Sequence, residues 1–236
     1  MTFAFPPVRL SHYFLAVLLA SGPAGALAQT GFSAGLLSDY RYRGLSLSDG
    51  LPVAQLGVNH DTASGVYLGL AVSGVRLPHT GTNVQAVAYA GYAERLGSAF
   101  SWEAGLSATA FSRAAAYGYR EAYVGIGIER LSARVYLAPS YFGIGGRTLY
   151  AELNGSYPLS DKVDLVAHAG HLRPAARTEY RPFAPDPYTD LQAGLSAVRD
   201  NWTVQLAWGV TRGDAAETRV YGSRAHRWMF SGARGF

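Results

Sequence analysis

Apolar and polar side chains alternate along most of the chain with a period of two residues. In residues 121–129 the even positions carry Ala, Val and Ile, while the odd positions carry Glu, Tyr and Gly. Residues 202–211 repeat this arrangement, with Trp, Val and Leu at the even positions and Thr, Gln, Ala and Gly at the odd ones. Because successive side chains of a β-strand point to opposite faces, the pattern predicts strands with one apolar and one more polar face.

About twelve segments of roughly ten residues share this alternation. Their expected spans are 31–43, 52–61, 65–76, 84–95, 100–112, 119–130, 133–143, 147–158, 162–172, 188–198, 201–212 and 223–236. Every second connection is tight, and the others tend to be longer, apart from the short stretch 143–146. Sorted connections of this kind are typical of bacterial outer-membrane barrels, whose short turns are periplasmic. We therefore predict an all-β, transmembrane, antiparallel up-and-down β-barrel with both termini on the periplasmic side.

A membrane barrel turns its apolar face to lipid and its polar face to the lumen. Several carboxylates and guanidiniums share the polar face, where the apolar core of a soluble barrel would not tolerate them unpaired. The predicted lumen and selectivity residues are Asp39, Arg41, Arg43, Glu121, Glu129, Arg134, Glu152 and Asp190. By the same alternation, Tyr40 and Tyr42 are expected to face lipid. Aromatic residues at strand ends are expected in the interfacial girdles, namely Trp102, Tyr141, Tyr157 and Trp202.

The N-terminal residues have the order of a secretory signal peptide. Arg9 supplies a positive charge, residues 13–20 form a short apolar run, and Ala26-Leu27-Ala28 follows. The run is shorter than the roughly 20 residues that a spanning helix needs. We predict a cleaved signal peptide at residues 1–28 and an outer-membrane barrel domain at residues 29–236.

Composition narrows the choice of function further. The chain has 236 residues and is 49% hydrophobic but only 15% charged, against roughly 25% charged in ordinary soluble domains. It contains no cysteine, which excludes disulfides and cysteine-ligated metals. The net charge of +4 is spread along the chain, so no basic patch indicates a nucleic-acid partner. The terminal Phe236 is expected to act as the signal read by the barrel-assembly machinery.

The first predicted strand also carries a family resemblance. Residues 38–69 contain the block SDYRYRGLSLSDG and, further on, SGVYLG. This block resembles the opening of the TorF-family porins, a proteobacterial group also catalogued as Gcw_chp proteins. Glu121-Ala122-Tyr123-Val124-Gly125 and Tyr188-Thr189-Asp190 are similar to later blocks of that family. The resemblance covers the mature chain and implies a barrel in the outer membrane and no cofactor.

Other chemistry has weaker support in the sequence. His168 and His171 lie three apart on a predicted strand, so they face opposite sides and are not expected to share a metal. No G-x-S-x-G motif occurs, and no Ser, His and acid are linked as a catalytic site requires, so we do not expect an enzyme. Metal and cofactor sites are likewise not expected.

The sequence thus favours a porin-like channel for passive diffusion of small hydrophilic solutes or ions. A slight excess of basic over acidic residues in the chain, nearly all of it arginine, would favour anions. The alternative is a non-conducting barrel with a structural, receptor or adhesion role, using loop 173–187. Expected partners are outer-membrane lipid and lipopolysaccharide, the barrel-assembly machinery and small polar solutes. The oligomeric state is left open.

Overall fold

The computed structural model describes residues 28–77, 81–143, 146–175, 186–213 and 226–236. Over these residues, twelve strands close into one antiparallel barrel. The strands are β1 (Gln29–Leu37), β2 (Val53–Asp61), β3 (Val66–Leu77), β4 (Gly81–Leu96), β5 (Phe100–Phe111), β6 (Tyr119–Ile128), β7 (Leu131–Ala138), β8 (Thr148–Pro158), β9 (Val163–Pro174), β10 (Tyr188–Arg199), β11 (Trp202–Gly213) and β12 (His226–Gly235). The predicted fold and strand number are confirmed.

Each strand pairs with its neighbour in the chain, and the last strand closes the barrel on the first. In the closing pair, Ser33 lies opposite Gly235 and Leu37 lies opposite Ser231. Backbone hydrogen bonds between Phe32 and Phe236 extend this pairing to the final residue. Among the described residues, closure leaves none of the twelve barrel strands at a sheet edge, as lipid requires of a spanning sheet.

The connections are sorted between the two ends of the barrel as predicted, except at 77–83, where a longer connection was expected and only residues 78–80 separate β3 from β4. The tight ones, such as residues 129–130 between β6 and β7 and residues 200–201 between β10 and β11, lie at the end that carries both termini. The connection between β7 and β8 runs over residues 139–147 and is longer than expected. Strand β7 ends at Ala138 because Pro139 has no backbone N–H to continue the ladder.

Helix content in the described residues is small. A 3₁₀ turn spans Ala115–Tyr117 in the connection between β5 and β6. Within the described ranges, no helix has the length and apolar character needed to cross a bilayer.

The outer wall of the barrel is apolar and the inner wall is largely polar. Strand β6 alternates buried and exposed residues without interruption from Tyr119 to Ile128. Large side chains such as Leu36, Leu106 and Trp228 are 67%, 65% and 63% exposed on the outside. An apolar exterior of this kind suits a lipid environment and would be unusual in a soluble barrel.

The prediction for the first strand was wrong over residues 38–43. Strand β1 stops at Leu37, and residues 38–52, which we call the inward loop, turn into the barrel. Arg43 and Gly44 have φ of 51° and 77° and join the two-residue strands Arg41–Tyr42 and Leu45–Ser46. Positive φ at both central residues defines a type I′ hairpin turn, which reverses the chain within two residues.

Three predictions lie wholly or partly outside the described residues. They are the signal peptide, of which the structure describes only Ala28, most of loop 173–187, and residues 223–225 of the predicted last strand.

Candidate functional site

The inward loop is a compact unit built around one carboxylate. Asp39 accepts hydrogen bonds from Ser46 and Ser48 and contacts the Nε of Arg41 at 3.0 Å. The Ser48 hydroxyl also accepts the backbone N–H of Tyr40 at 2.9 Å. Asp39, Arg41, Ser46 and Ser48 therefore satisfy one another within the loop, which lets this polar segment be buried.

The inward loop contacts strands on opposite sides of the barrel. The Tyr40 hydroxyl donates to Gln85 of β4 at 2.8 Å, and the Leu47 carbonyl accepts from the backbone of Arg76 in β3. On the other side, Thr211 of β11 donates to the Gly44 carbonyl at 2.8 Å. These contacts place the loop across the lumen, in the half of the barrel that carries the longer connections.

Arg43, at the tip of the inward loop, forms a bidentate ion pair with the barrel wall. Its Nη1 and Nη2 donate to Oε1 and Oε2 of Glu121 at 2.7 and 2.9 Å. The side chains are 4% and 2% exposed. Four tyrosine rings surround the guanidinium at 4.4–5.5 Å from its carbon, namely Tyr42, Tyr136, Tyr141 and Tyr150.

The tyrosines predicted to face lipid therefore lie inside the barrel. Tyr40 is 0% exposed, and the Tyr42 hydroxyl donates a hydrogen bond to Glu121 at 3.2 Å. The alternation that would have turned them outward ends with β1. Asp39, Arg41 and Arg43 do face the interior, but through the fold of the loop and not through strand alternation.

A row of paired residues carries charge around the inner wall. Adjacent strands align Glu103 with Gly125, Gly125 with Arg134, and Arg134 with Glu152. The row continues from Glu152 through Gly170 to Asp190. The glycines leave space for the charged residues, since a Cβ on Gly125 would lie 2.8 Å from Oε1 of Glu103.

Arg134 is the cationic centre of this row. Its Nε donates to Glu103 at 2.8 Å, and its Nη1 lies 3.8 Å from Glu152. Nη1 also donates to the Tyr136 hydroxyl at 2.9 Å. One guanidinium thus serves two carboxylates.

A second polar cluster ends the row near the longer connections. His168 lies 2.8 Å from Asp190 through Nε2 and 2.7 Å from Asn154 through Nδ1. The Tyr150 hydroxyl donates to Asp190 at 3.1 Å. His171 is exposed and contacts Thr189, so the two histidines face opposite sides as expected.

An apolar cluster lies inside the barrel between the Arg43–Glu121 pair and the end with the longer connections. Tyr40, Leu45 and Leu47 of the inward loop pack there against inward-facing residues at the strand ends. Tyr141, predicted as a girdle residue, belongs to this cluster and is 3% exposed. That prediction was wrong because Tyr141 lies in the connection that folds inward after β7. Burial raises the pKa of Tyr141 to about 12.

The remaining predicted residues divide between the turns and the outer wall. Glu129 was predicted to line the lumen, but it lies exposed in the turn between β6 and β7 with φ of 51°. Tyr157 and Trp202 are 66% and 51% exposed on the outside near the short-turn end. Trp102 lies at that end as well and packs on Tyr92 with ring centroids 5.6 Å apart.

Sequence reasoning missed the polar residues of the wall that hydrogen-bond to the charged residues, to the inward loop or to one another. These partners are Tyr67, Gln85, Tyr136, Tyr150, Asn154 and His168. These residues occupy the same alternate positions of their strands as the inward-facing residues. The alternation in the sequence could therefore have identified them as lumenal. In the described part of the chain, no group of three or more His, Cys, Asp or Glu is placed to hold a metal ion.

The closed barrel, its apolar exterior and its charged interior define a β-barrel of the porin type. The chain is similar to solved porins: "KdgM porin" at 15% identity over 89% of this chain and 99% of that one, with a TM-score of 0.56. A "NanC porin" structure has 12% identity over 87% and 98% of the two chains and a TM-score of 0.53.

The family follows from the sequence itself. A model described as "Bacterial protein of unknown function (Gcw_chp)" matches residues 21–236, so the chain belongs to the Gcw_chp family. No curated protein matches it.

Proposed function

We propose that this protein is an outer-membrane porin-like channel that passes small hydrophilic solutes or ions by diffusion, with the inward loop as its constriction. The observation that carries the proposal is the charged row from Glu103 to Asp190, enclosed by an apolar outer wall. Charges on the inner wall of a barrel tune which solutes and ions enter it. The lumen candidates other than Glu129 form or contact this row or the inward loop.

The location and export route belong to the same proposal. An apolar outer wall needs a bilayer, and barrels of this kind are outer-membrane structures. The proposal also includes export through the signal peptide and a Gram-negative, proteobacterial source of TorF type. In the membrane, the barrel would contact lipid and lipopolysaccharide, and the assembly machinery would recognise Phe236. The chain should stay in the membrane pellet after carbonate washing. It should also migrate differently on gels with and without boiling.

A second candidate is a non-conducting barrel with a structural, receptor or adhesion role. It is favoured by the apolar cluster that includes Tyr40, Leu45 and Leu47, which packs inside the barrel at the end with the longer connections. Water and ions do not cross an apolar plug readily, since hydrophobic constrictions exclude water.

Single-channel recording of the mature chain in planar bilayers separates the two candidates. A channel gives discrete conductance steps, and Arg43→Ala should enlarge them because it removes the side chain that reaches across to Glu121. Asp200→Asn, in an exposed turn with its side chain 86% exposed, is the matched control and should leave the steps unchanged. Absence of steps in the wild type and in Arg43→Ala would refute the channel and support the non-conducting barrel.

A further inference from the structure

We infer that the wall around Arg43 is a recognition site for a guanidinium group, occupied by the chain's own Arg43. Small organic cations that carry such a group would then be the solutes that compete for it. The solute assignment rests on the proposed channel function, whereas the site itself does not.

The geometry matches a guanidinium and not simply any cation. Both oxygens of Glu121 accept from separate nitrogens of Arg43 at 2.7 and 2.9 Å. This two-point contact fits the planar fork of a guanidinium, which an ammonium does not reproduce. The rings of Tyr136 and Tyr150 lie 4.5 and 4.4 Å from the guanidinium carbon, within the range of cation–π attraction.

Most of the site belongs to the barrel and not to the loop. Glu121, Tyr136 and Tyr150 lie on the neighbouring strands β6, β7 and β8. Tyr42 alone among the close partners belongs to the inward loop. The acceptor and two of the rings therefore stay in place if the tip of the loop moves away.

The site has space beside it. A cavity of about 50 Å³ adjoins the ion pair and is lined by Tyr42, Arg43, Tyr89, Glu121, Tyr136 and Glu152, among others. That volume holds a few water molecules. It gives an incoming group a place next to Glu121 before Arg43 is displaced.

The charges around the cavity favour cations. Glu103 and Glu152 share Arg134, while the charges of Arg43 and Glu121 cancel. In the described interior, five carboxylates (Asp39, Glu103, Glu121, Glu152 and Asp190) face the guanidiniums of Arg41, Arg43, Arg134 and the half-buried Arg227. The arginine excess that would favour anions is therefore absent from this set, and a wall with excess carboxylate attracts cations.

Chemical rescue tests the site directly. Arg43→Gly in the mature chain removes the occupant without straining the backbone, because φ of 51° suits glycine. Guanidinium chloride at millimolar, non-denaturing concentration should raise the thermal midpoint of this variant saturably, while sodium chloride of equal ionic strength should not. Arg43→Gly/Glu121→Gln should bind guanidinium about tenfold or more weakly, since it lacks a charged acceptor. No saturable rise, or an equal response in both variants, overturns the site.

Flux into liposomes tests the solute assignment. Arginine should enter wild-type vesicles faster than citrulline, its neutral analogue of similar shape, and faster than lysine, whose ammonium cannot form the two-point contact. Equal rates for the three overturn the assignment. If no solute enters, the channel itself is refuted together with the assignment, and the rescue experiment still decides whether the guanidinium site exists.

Discussion

Replacing Glu121 with Gln should destabilise the barrel by leaving Arg43 buried without its charged partner. The two side chains are 4% and 2% exposed, so solvent screens their interaction little. Removing one partner of a buried ion pair costs about 3–5 kcal/mol. Gln still offers one oxygen, so we expect a loss near the lower limit, about 3 kcal/mol, equivalent to about a 150-fold change in the folding equilibrium.

The assay is urea unfolding of the chain refolded in lipid vesicles, followed by intrinsic fluorescence. Asp200→Asn is the matched control, because its partner Arg199 lies 4.0 Å away and both side chains are largely exposed. Exposed pairs contribute about 0–1 kcal/mol, so this variant should unfold close to the wild type.

A double variant separates the effect of a buried unpaired charge from the effect of losing each side chain. Arg43→Met/Glu121→Gln removes both charges, so no unpaired charge stays buried. It should therefore be more stable than Glu121→Gln alone, with a coupling energy well above the few tenths of a kcal/mol expected of independent sites. The reasoning is refuted if Glu121→Gln unfolds with the control, or if the two single losses simply add.

Two other substitutions test the fold. Gly44→Ala should cost about 2–5 kcal/mol, from about 1–2 for the left-handed backbone and about 1–3 for overpacking. It should also loosen the inward loop, measured as faster cleavage by added protease. The reason is that Gly44 has φ of 77° and a Cβ there would lie 2.5 Å from Asp190 and Thr211; unchanged cleavage would contradict the hairpin geometry. Leu106→Arg, on the outer wall in mid-strand, should cost about 2–4 kcal/mol in refolding into vesicles, whereas Leu106→Phe should be tolerated. Equal behaviour of the two variants would mean that Leu106 does not face lipid.

The barrel could be predicted because its wall obeys a rule of period two. Along β6 the exposed and buried residues alternate without a break, and such a strand needs no knowledge of its partners. The sorting of short and long connections then fixed the order of the strands, since antiparallel neighbours join directly. The alternation does not define where a strand ends. It continues beyond Ala138, but the strand stops there because the next residue is a proline.

The inward loop could not be predicted by the same rule. Residues 38–43 continue the alternation of β1, so Asp39, Tyr40 and Arg41 read as the end of a strand. What reverses the chain is the pair Arg43-Gly44 with both φ positive, and an arginine in that position is not a usual turn signal. The partners of the loop are remote in the sequence: Gln85, Glu121 and Thr211 are brought to it only when the barrel closes.

Two sets of contacts hold the inward loop in the lumen, the apolar cluster and the Arg43–Glu121 ion pair. They oppose movement of the loop to different degrees. Expelling the whole loop would expose Leu45, Leu47 and Tyr40, and each large apolar side chain contributes about 1.5–3 kcal/mol when buried. Separating Arg43 and Glu121 into water costs less in net terms, because both charges then regain the hydration that they lost on burial, unlike a variant that leaves one charge buried alone. The tip of the hairpin therefore moves at lower cost than the apolar layer above it. A solute that carries its own guanidinium would lower that cost further, since Glu121 would never be left without a cation.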